Sequence, residues 1–378
     1  MVYSSLGALP NRSRISTPTP GVLFRGLWER SQAQEQGEQM PLTLEQVGEM
    51  AGVSRSTVSR VINHHPNVRE EVRQRVWQVI RETGYQPHAA ARSLVTRRTY
   101  IIGAIIPETV TTLFVDPFFP LLLRGITETC NAHGYHLMLS LFSNPDRQEE
   151  MYRRLVHGSH LDGVIVASAR TDDPLVHKLL DDSVPLVLVG RHSDSRASYV
   201  DVDNIGAARM AVEHLIRLGH KRIATITGPL SMAGGEDRLQ GYRLALESYH
   251  LPVQEELIAE GDFTEHSGTA AMHRLLPAAP TAVFAASDSM AIGALKALRE
   301  ANLRVPEDVA LVGFDDIPAV TAIEPPLTTV RQPIERLGAT AADLLLNLLE
   351  NRPEGQAAVQ RIVLPAELVV RGSCGAWP

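Results

Sequence analysis

Cysteine is nearly absent: of 378 residues only Cys130 and Cys374 carry a thiol, at a spacing that neither a zinc site nor a disulfide framework uses. Two inert thiols in a reducing compartment are the simplest reading. Long apolar runs are missing as well. No stretch of 18 apolar residues occurs, and the first residues lack the continuous apolar segment of a secretory leader, so neither a membrane span nor export is expected and the protein reads as cytoplasmic. Signatures of catalysis are lacking too, with no G-x-S-x-G elbow, no H-E-x-x-H, no G-x-x-x-x-G-K-[ST] and no G-x-G-x-x-G. Ala233-Gly234-Gly235 is too short to cradle a phosphate, and the adjacent His64 and His65 diverge rather than converge on a metal. No enzyme, cofactor or metal is therefore expected.

Positive charge is scarce overall and concentrated in one place. The chain carries −7 at neutral pH, yet residues 41–98 hold nine arginines, no lysine and five glutamates, a local balance of +4. Counterion release requires positive charge only where phosphates are met, and an acidic remainder discourages non-specific wrapping. Residues 1–40 are polar and turn-rich, with Ser-Thr-Pro-Thr-Pro at 16–20 and a Gln/Glu-rich stretch at 31–39. They cannot bury enough apolar area to order themselves. They read as a disordered extension or, since Met40 follows, as the product of a start codon placed too far upstream.

What is present begins at Thr43. Residues 43–63 read as two short helices joined by a glycine turn. Leu44, Val47 and Met50 give the first an apolar face, Ala51 is small enough for a close crossing, and Gly52 takes the left-handed turn. Ser54 caps the second helix, whose Val58, Val61 and Ile62 face inward and leave Arg55, Ser56, Ser59, Arg60 and Asn63 outward, a set of donors and acceptors suited to base edges. Asn67-x-x-Glu70 has the form of a capping box, and Val68, Val72, Val76 and Ile80 make a third helical stripe that ends at Gly84. A short segment from Pro87 to Leu94 follows, too poor in apolar area to fold alone.

In these residues the chain resembles the lactose/galactose-repressor family of bacterial transcription regulators. The specific matches are Ala51-Gly52-Val53-Ser54-x-x-Thr57-Val58-Ser59-Arg60-Val61-x-Asn63, the Gly84-Tyr85-x-Pro87 junction and Ala91-Arg92-x-Leu94, while His88 stands where the family usually has asparagine. The resemblance implies a helix-turn-helix headpiece over 41–86, a hinge helix over 87–98 and an effector-binding and dimerisation domain over 99–371. The expected DNA-contacting set is Thr43, Leu44, Ser54, Arg55, Ser56, Thr57, Ser59, Arg60, Asn63, Asn67, Ala91, Arg92 and Leu94. Two reading helices of a dimer would enter successive major grooves of a near-palindromic double-stranded operator, and paired hinges would wedge Leu94 into a minor-groove step between them.

Beyond residue 98 short apolar runs at 100–106, 136–142, 162–168, 185–190, 222–228, 257–262, 282–287 and 309–314 alternate with helix-length amphipathic segments. Two consecutive sets of βαβ units predict an α/β fold with two doubly wound parallel sheets and a ligand cleft at the strands' carboxyl ends. The resemblance adds a periplasmic-binding-protein-like arrangement, with one subdomain at about 99–201 and 333–356 and the other at about 202–332 and 360–371.

Candidate ligand residues sit at those strand ends. Arg238 matches the family position that clamps effector hydroxyls or a carboxylate, and a guanidinium fork can grip two neighbouring oxygens. Ser287, Asp288 and Asp315 follow buried strands, and Phe118 and Phe263 would supply an apolar wall. Asp288 would equally cap the helix that begins there, Phe118 would equally be core, and Arg191 and Gln332 would reach the cleft or lie outside it. The function implied is a repressor whose operator affinity is switched by a small molecule, a sugar or sugar phosphate. The alternative is a solute-binding module with an incidental N-terminal bundle. With the chain stopping at Pro378, just past the final expected strand, no C-terminal leucine-heptad helix fits, and a homodimer is expected.

Overall fold

The computed structural model describes residues 42–62, 65–85, 98–107, 110–141, 152–153, 161–350 and 358–376. It divides into two compact units, Met1–Ala91 and Arg92–Pro378. Asn63, Ala91, Arg92, Leu94, the hinge segment up to residue 97 and residues 1–40 fall outside the described residues.

In the first unit, α1 (Leu44–Ala51), α2 (Arg55–Ile62) and α3 (Glu70–Thr83) enclose a core of Val47, Ala51, Val58, Val61, Val76, Val79, Ile80 and Tyr85. At about 100° per residue, positions 44, 47, 48 and 51 share one stripe, whereas Met50 lies roughly a third of a turn away. Met50 is accordingly 58% exposed, contrary to its expected place on the inner face. The close approach depends on Gly48, where an added Cβ would lie 2.8 Å from the Val53 carbonyl oxygen. Gly52 ends α1 at φ +66°, and its N–H donates to the Glu49 carbonyl. A further difference concerns Asn67. Helical structure starts at Glu70 with Arg69 in the capping position, so Asn67 lies outside the first turn and its N–H donates instead to His65 Nδ1.

The second unit contains two six-stranded sheets. In chain order its elements are β1 (Ile101–Ile106), α4 (Val110–Val115), α5 (Phe118–Ala132), β2 (His136–Leu141), β3 (Gly163–Ala167), α6 (Pro174–Asp181), β4 (Leu186–Val189) and β5 (Ser198–Val202). There follow α7 (Asn204–Arg217), β6 (Ile223–Thr227), α8 (Ala233–Ser248), β7 (Ile258–Glu260), α9 (Glu265–Leu275), β8 (Ala282–Ala285), α10 (Asp288–Glu300) and β9 (Ala310–Asp315). The chain closes with β10 (Thr328–Arg331), α11 (Ile334–Glu350), β11 (Arg361–Leu364) and β12 (Glu367–Val369). Strand order is β11-β5-β4-β3-β1-β2 in one sheet and β12-β10-β9-β8-β6-β7 in the other.

Helices cover both faces of each sheet, which is why β1, β3, β4, β8 and β9 are almost wholly apolar and buried, and β6 is fully buried with Thr225 and Thr227 among its apolar residues. On the first sheet α5 and α11 bury Leu122, Ile126, Leu337, Ala341 and Leu345 on one face, and α6 buries Leu175, Val176 and Leu179 on the other. On the second, α9 and α10 pack one face and α7 and α8 the other. The chain therefore crosses between sheets after β5, after β10 and after β11. The last crossing differs from the expectation that 360–371 forms a single strand of the second subdomain. Arg361–Leu364 pairs in parallel with β5, then Pro365 interrupts the ladder and Glu367–Val369 pairs antiparallel with β10. Among the described residues no helix is long and apolar enough to cross a membrane.

Candidate functional site

The outer face of α2 is built by its caps. Thr43 and Gln46 form a reciprocal capping box on α1, Gln46 N–H donating to Thr43 Oγ1 at 3.3 Å and Thr43 N–H to Gln46 Oε1 at 2.8 Å. Leu44 is half-buried against the core. Ser54 Oγ accepts from the Thr57 amide at 3.3 Å and lies 2.9 Å from both Ser56 Oγ and Thr57 Oγ1, so one hydroxyl cluster fixes the start of the helix. Arg55, Ser56 and Arg60 are exposed, while Thr57 and Ser59 are half-buried beside them. Arg55 pairs with Glu45 of α1 at 3.2 Å, an exposed contact that a phosphate or base edge can replace at little cost.

The second unit holds a cleft at the carboxyl ends of both sets of strands, about 110 Å³ in volume. One water occupies about 10–15 Å³ on a comparable measure, so this is space for a ligand and not for a single bridging water. Phe118, Arg191, Arg238, Phe263, Ser287, Asp315 and Gln332 all line it. Asp116, Asp201, Asn204 and Asp262 line it as well, although the sequence reading did not select them.

Arg238, on the second turn of α8, is 7% exposed. Its Nε donates to Asn204 Oδ1 at 2.9 Å, Nη1 donates to the Ala286 carbonyl and lies 3.8 Å from Asp315 Oδ1, and the guanidinium stacks 3.7 Å from the Phe314 ring centroid. Burial lowers its pKa, an effect that the charges of Asp315, Asp201, Asp288 and Asp116 oppose. Asp315 accepts from Gln332 Nε2, and burial chiefly, with Asp116 adding to it, pushes its carboxyl up to about 7 against the pull of Arg238. Burial likewise raises Asp116 and Asp201 above the usual carboxylate range. Phe263 lies over Gly228, where a Cβ would come within 2.1 Å of the ring, so only glycine admits the ring at this wall. Phe118 meets Phe119 edge-on at 5.5 Å between centroids.

Two expected residues behave otherwise. Ser287 lines the cleft but also caps α10, its Oγ accepting from the Met290 amide at 3.2 Å. Asp288 does not line the cleft. It is fully buried, with Oδ2 accepting from the Ile317 amide at 2.9 Å and Oδ1 from the Thr329 hydroxyl, so it ties α10 to the turn after β9 and to β10. Nor is it the cap, which falls to Ser287 one residue earlier. Arg191 faces across the cleft and pairs with Asp237 and Glu236.

Comparison with known proteins follows the same division. Residues 43–88 match the model of bacterial regulatory proteins of the lacI family, and residues 212–374 that of the periplasmic binding protein-like domain. The HTH-type transcriptional regulator CelR of Thermobifida fusca is 44% identical over 88% of this chain and 98% of its own length. The HTH-type transcriptional repressor CytR of Escherichia coli strain K12 is 35% identical over 89% of this chain and 97% of its own. Among solved structures, the CelR–cellobiose complex is 41% identical, with a TM-score of 0.70 over 88% of this chain and 99% of the other. The lac repressor dimer bound to operator and the anti-inducer ONPF is 30% identical, with a TM-score of 0.78 over 89% and 100%. With a headpiece that exposes donors on its second helix, a two-sheet ligand-binding unit and relatives at this identity over nearly their whole length, the chain belongs to the lacI family of bacterial transcriptional regulators.

Proposed function

We propose that this protein is a dimeric repressor whose affinity for a near-palindromic DNA operator is switched by a neutral sugar held in the cleft. The observation that carries the choice of ligand is the charge balance of the lining. Four carboxylates, Asp116, Asp201, Asp262 and Asp315, meet two arginines, each already engaged with protein acceptors. Sugar hydroxyls donate to such acceptors, whereas a phosphate would meet uncompensated negative charge in a partly desolvated site. Arg238 Nη2, which makes no hydrogen bond among the described residues, supplies the remaining donor, and Phe118 and Phe263 offer aromatic faces to sugar C–H groups. The cellobiose-bound relative supports this class of ligand.

The operator-bound lac repressor dimer supports the DNA arm of the reading. Arg55, Ser56 and Arg60 on α2 would read one half-site, Thr43, Leu44, Ser54, Thr57, Ser59, Asn63 and Asn67 would seat the headpiece, and Ala91, Arg92 and Leu94 would engage the minor groove. A sugar-induced change in the angle between subdomains alters the spacing of the two hinges, and coupling of about 1–3 kcal/mol shifts operator affinity about 5- to 150-fold. The test is operator binding by fluorescence anisotropy with cellobiose or glucose 6-phosphate titrated in. Cellobiose should shift the operator curve and glucose 6-phosphate should not; a shift with the phosphate alone would overturn the neutral-sugar reading.

A further inference from the structure

Arg191 stands at the carboxyl end of β4 on the first subdomain, and its guanidinium points at the second. Nε donates to Asp237 Oδ2 at 3.0 Å, and Nη2 donates both to Asp237 Oδ1 and to Glu236 Oε2, the latter at 3.2 Å. Side-chain exposure runs from 55% at Glu236 through 38% at Arg191 to 7% at Asp237, so the pair spans the rim of the cleft from solvent to interior. Two hydrogen bonds cross beside it. The amide and the hydroxyl of Thr171, on the loop after β3, donate to the Ser231 carbonyl on the loop after β6, at 2.9 and 3.3 Å. The Ser193 amide donates to the Thr171 carbonyl, which joins the Arg191 loop to the Thr171 loop on the first subdomain.

The same residues are wired to the buried arginine. Arg191 N–H donates to Asp201 Oδ2 at 3.2 Å, Asn204 Nδ2 donates to Asp201 Oδ1 at 3.0 Å, and Asn204 Oδ1 accepts from Arg238. Arg238 follows Asp237 directly on α8, so the chain of contacts closes into a ring that includes the first crossing between the sheets.

We propose that Arg191 is a positioning residue and not a ligand clamp: with Asp237, Glu236 and the Thr171–Ser231 contact it forms a latch that holds the two subdomains together across the cleft. A bidentate guanidinium–carboxylate pair with one partner buried has the geometry to do this, and opening the cleft is what lets Asp237 hydrate. The latch takes its purpose from the effector reading but not its existence, because every contact in it is between protein groups.

The test is hydrogen exchange of the full-length protein without ligand, read at the Thr171 amide and at amides of β8 and β9 as a folding control. Arg191→Ala should speed Thr171 exchange about tenfold, equivalent to about 1.4 kcal/mol, and leave the control amides unchanged. Arg191→Lys, which keeps the charge but not the fork, should fall between it and the wild type. Adding Asp237→Asn to Arg191→Ala should speed Thr171 no further, since both remove one contact. Glu236→Gln, at the exposed end, serves as a milder variant should the control amides move. Unchanged Thr171 exchange together with weakened cellobiose binding would make Arg191 an ordinary ligand contact and overturn the latch. Failure of cellobiose to bind the wild type would instead sink the effector reading and leave the latch decided by its own arm.

Discussion

The polar groups of α2 and those of the cleft are opposites. Arg55, Ser56 and Arg60 are exposed, and the ion pair of Arg55 with Glu45 is solvated. Arg238, Asp315 and Gln332 are 7%, 6% and 5% exposed and hydrogen-bonded to other protein groups. A surface that must leave wrong sequences quickly keeps its donors in water, where exchanging one partner for another changes little. A site that encloses a small molecule has to be ordered beforehand, because an unpaired buried group penalises binding heavily.

That contrast predicts unequal sensitivity to substitution. The largest effect should come from Arg238→Ala, which removes the counter-charge of Asp315 and the unengaged Nη2 donor. Calorimetry should show cellobiose affinity down by at least about 100-fold, while operator affinity without sugar stays near the wild type. Loss of operator binding in parallel would erase the distinction between the two regions. Leu94→Ala should do the reverse, weakening operator binding by about 1–3 kcal/mol without touching sugar affinity. Arg55→Ala should change which half-site bases are selected from a random pool more than it changes overall affinity.

A smaller effect should appear in pH. If, as proposed, Asp315 in its ionised form accepts from a sugar hydroxyl, its pKa of about 7 makes the affinity for cellobiose rise about tenfold between pH 6 and 8. Asp315→Asn should flatten that profile. The stability term has the opposite sign. A carboxyl whose folded pKa lies above its unfolded value of about 3.9 contributes stability that is fully present below the unfolded pKa and is lost as pH rises through about 7. Denaturant titrations between pH 4 and 8 should therefore show a falling contribution that the asparagine variant lacks. The smallest effect should be that of Thr43→Ala, which opens the capping box and should cost about 1 kcal/mol of headpiece stability by thermal melting.

Legibility in the sequence followed the strength of the local pattern. Eight strands stood out as apolar runs, most of them because helices cover both their faces, while β2 and β7 lie at sheet edges and are only partly buried. β5, Ser-Tyr-Val-Asp-Val, and β10, Thr-Thr-Val-Arg, interleave polar residues and gave no such signal, so Asp201 on β5 and Asn204 at the start of α7 were missed with them. Arg238 was found through a family motif. The sequence could not separate the two roles open to Asp288, because an aspartate after a buried strand reads alike whether it faces a ligand or, as here, an internal amide and hydroxyl. Asp116 stood next to Phe118 in plain view, yet only the folded chain brings it within reach of the charge of Arg238. The arginine–carboxylate pairs across the rim have no local signature, since their partners are 45 and 46 residues apart.

The last crossing between the sheets bears on how the protein is made. β11 completes the first sheet by pairing with β5, yet residues 203–360, all of the second sheet but its edge strand, lie between them. At about 5–20 residues per second a ribosome needs roughly 8–30 s to travel that distance. For that interval the β5 edge of the nascent first subdomain stands open, and α11, which covers one face of the same sheet, emerges only toward its end. The newborn chain therefore exposes an unpaired strand and a half-covered apolar face until translation is nearly over, so premature termination anywhere before β11 leaves the first sheet unfinished too.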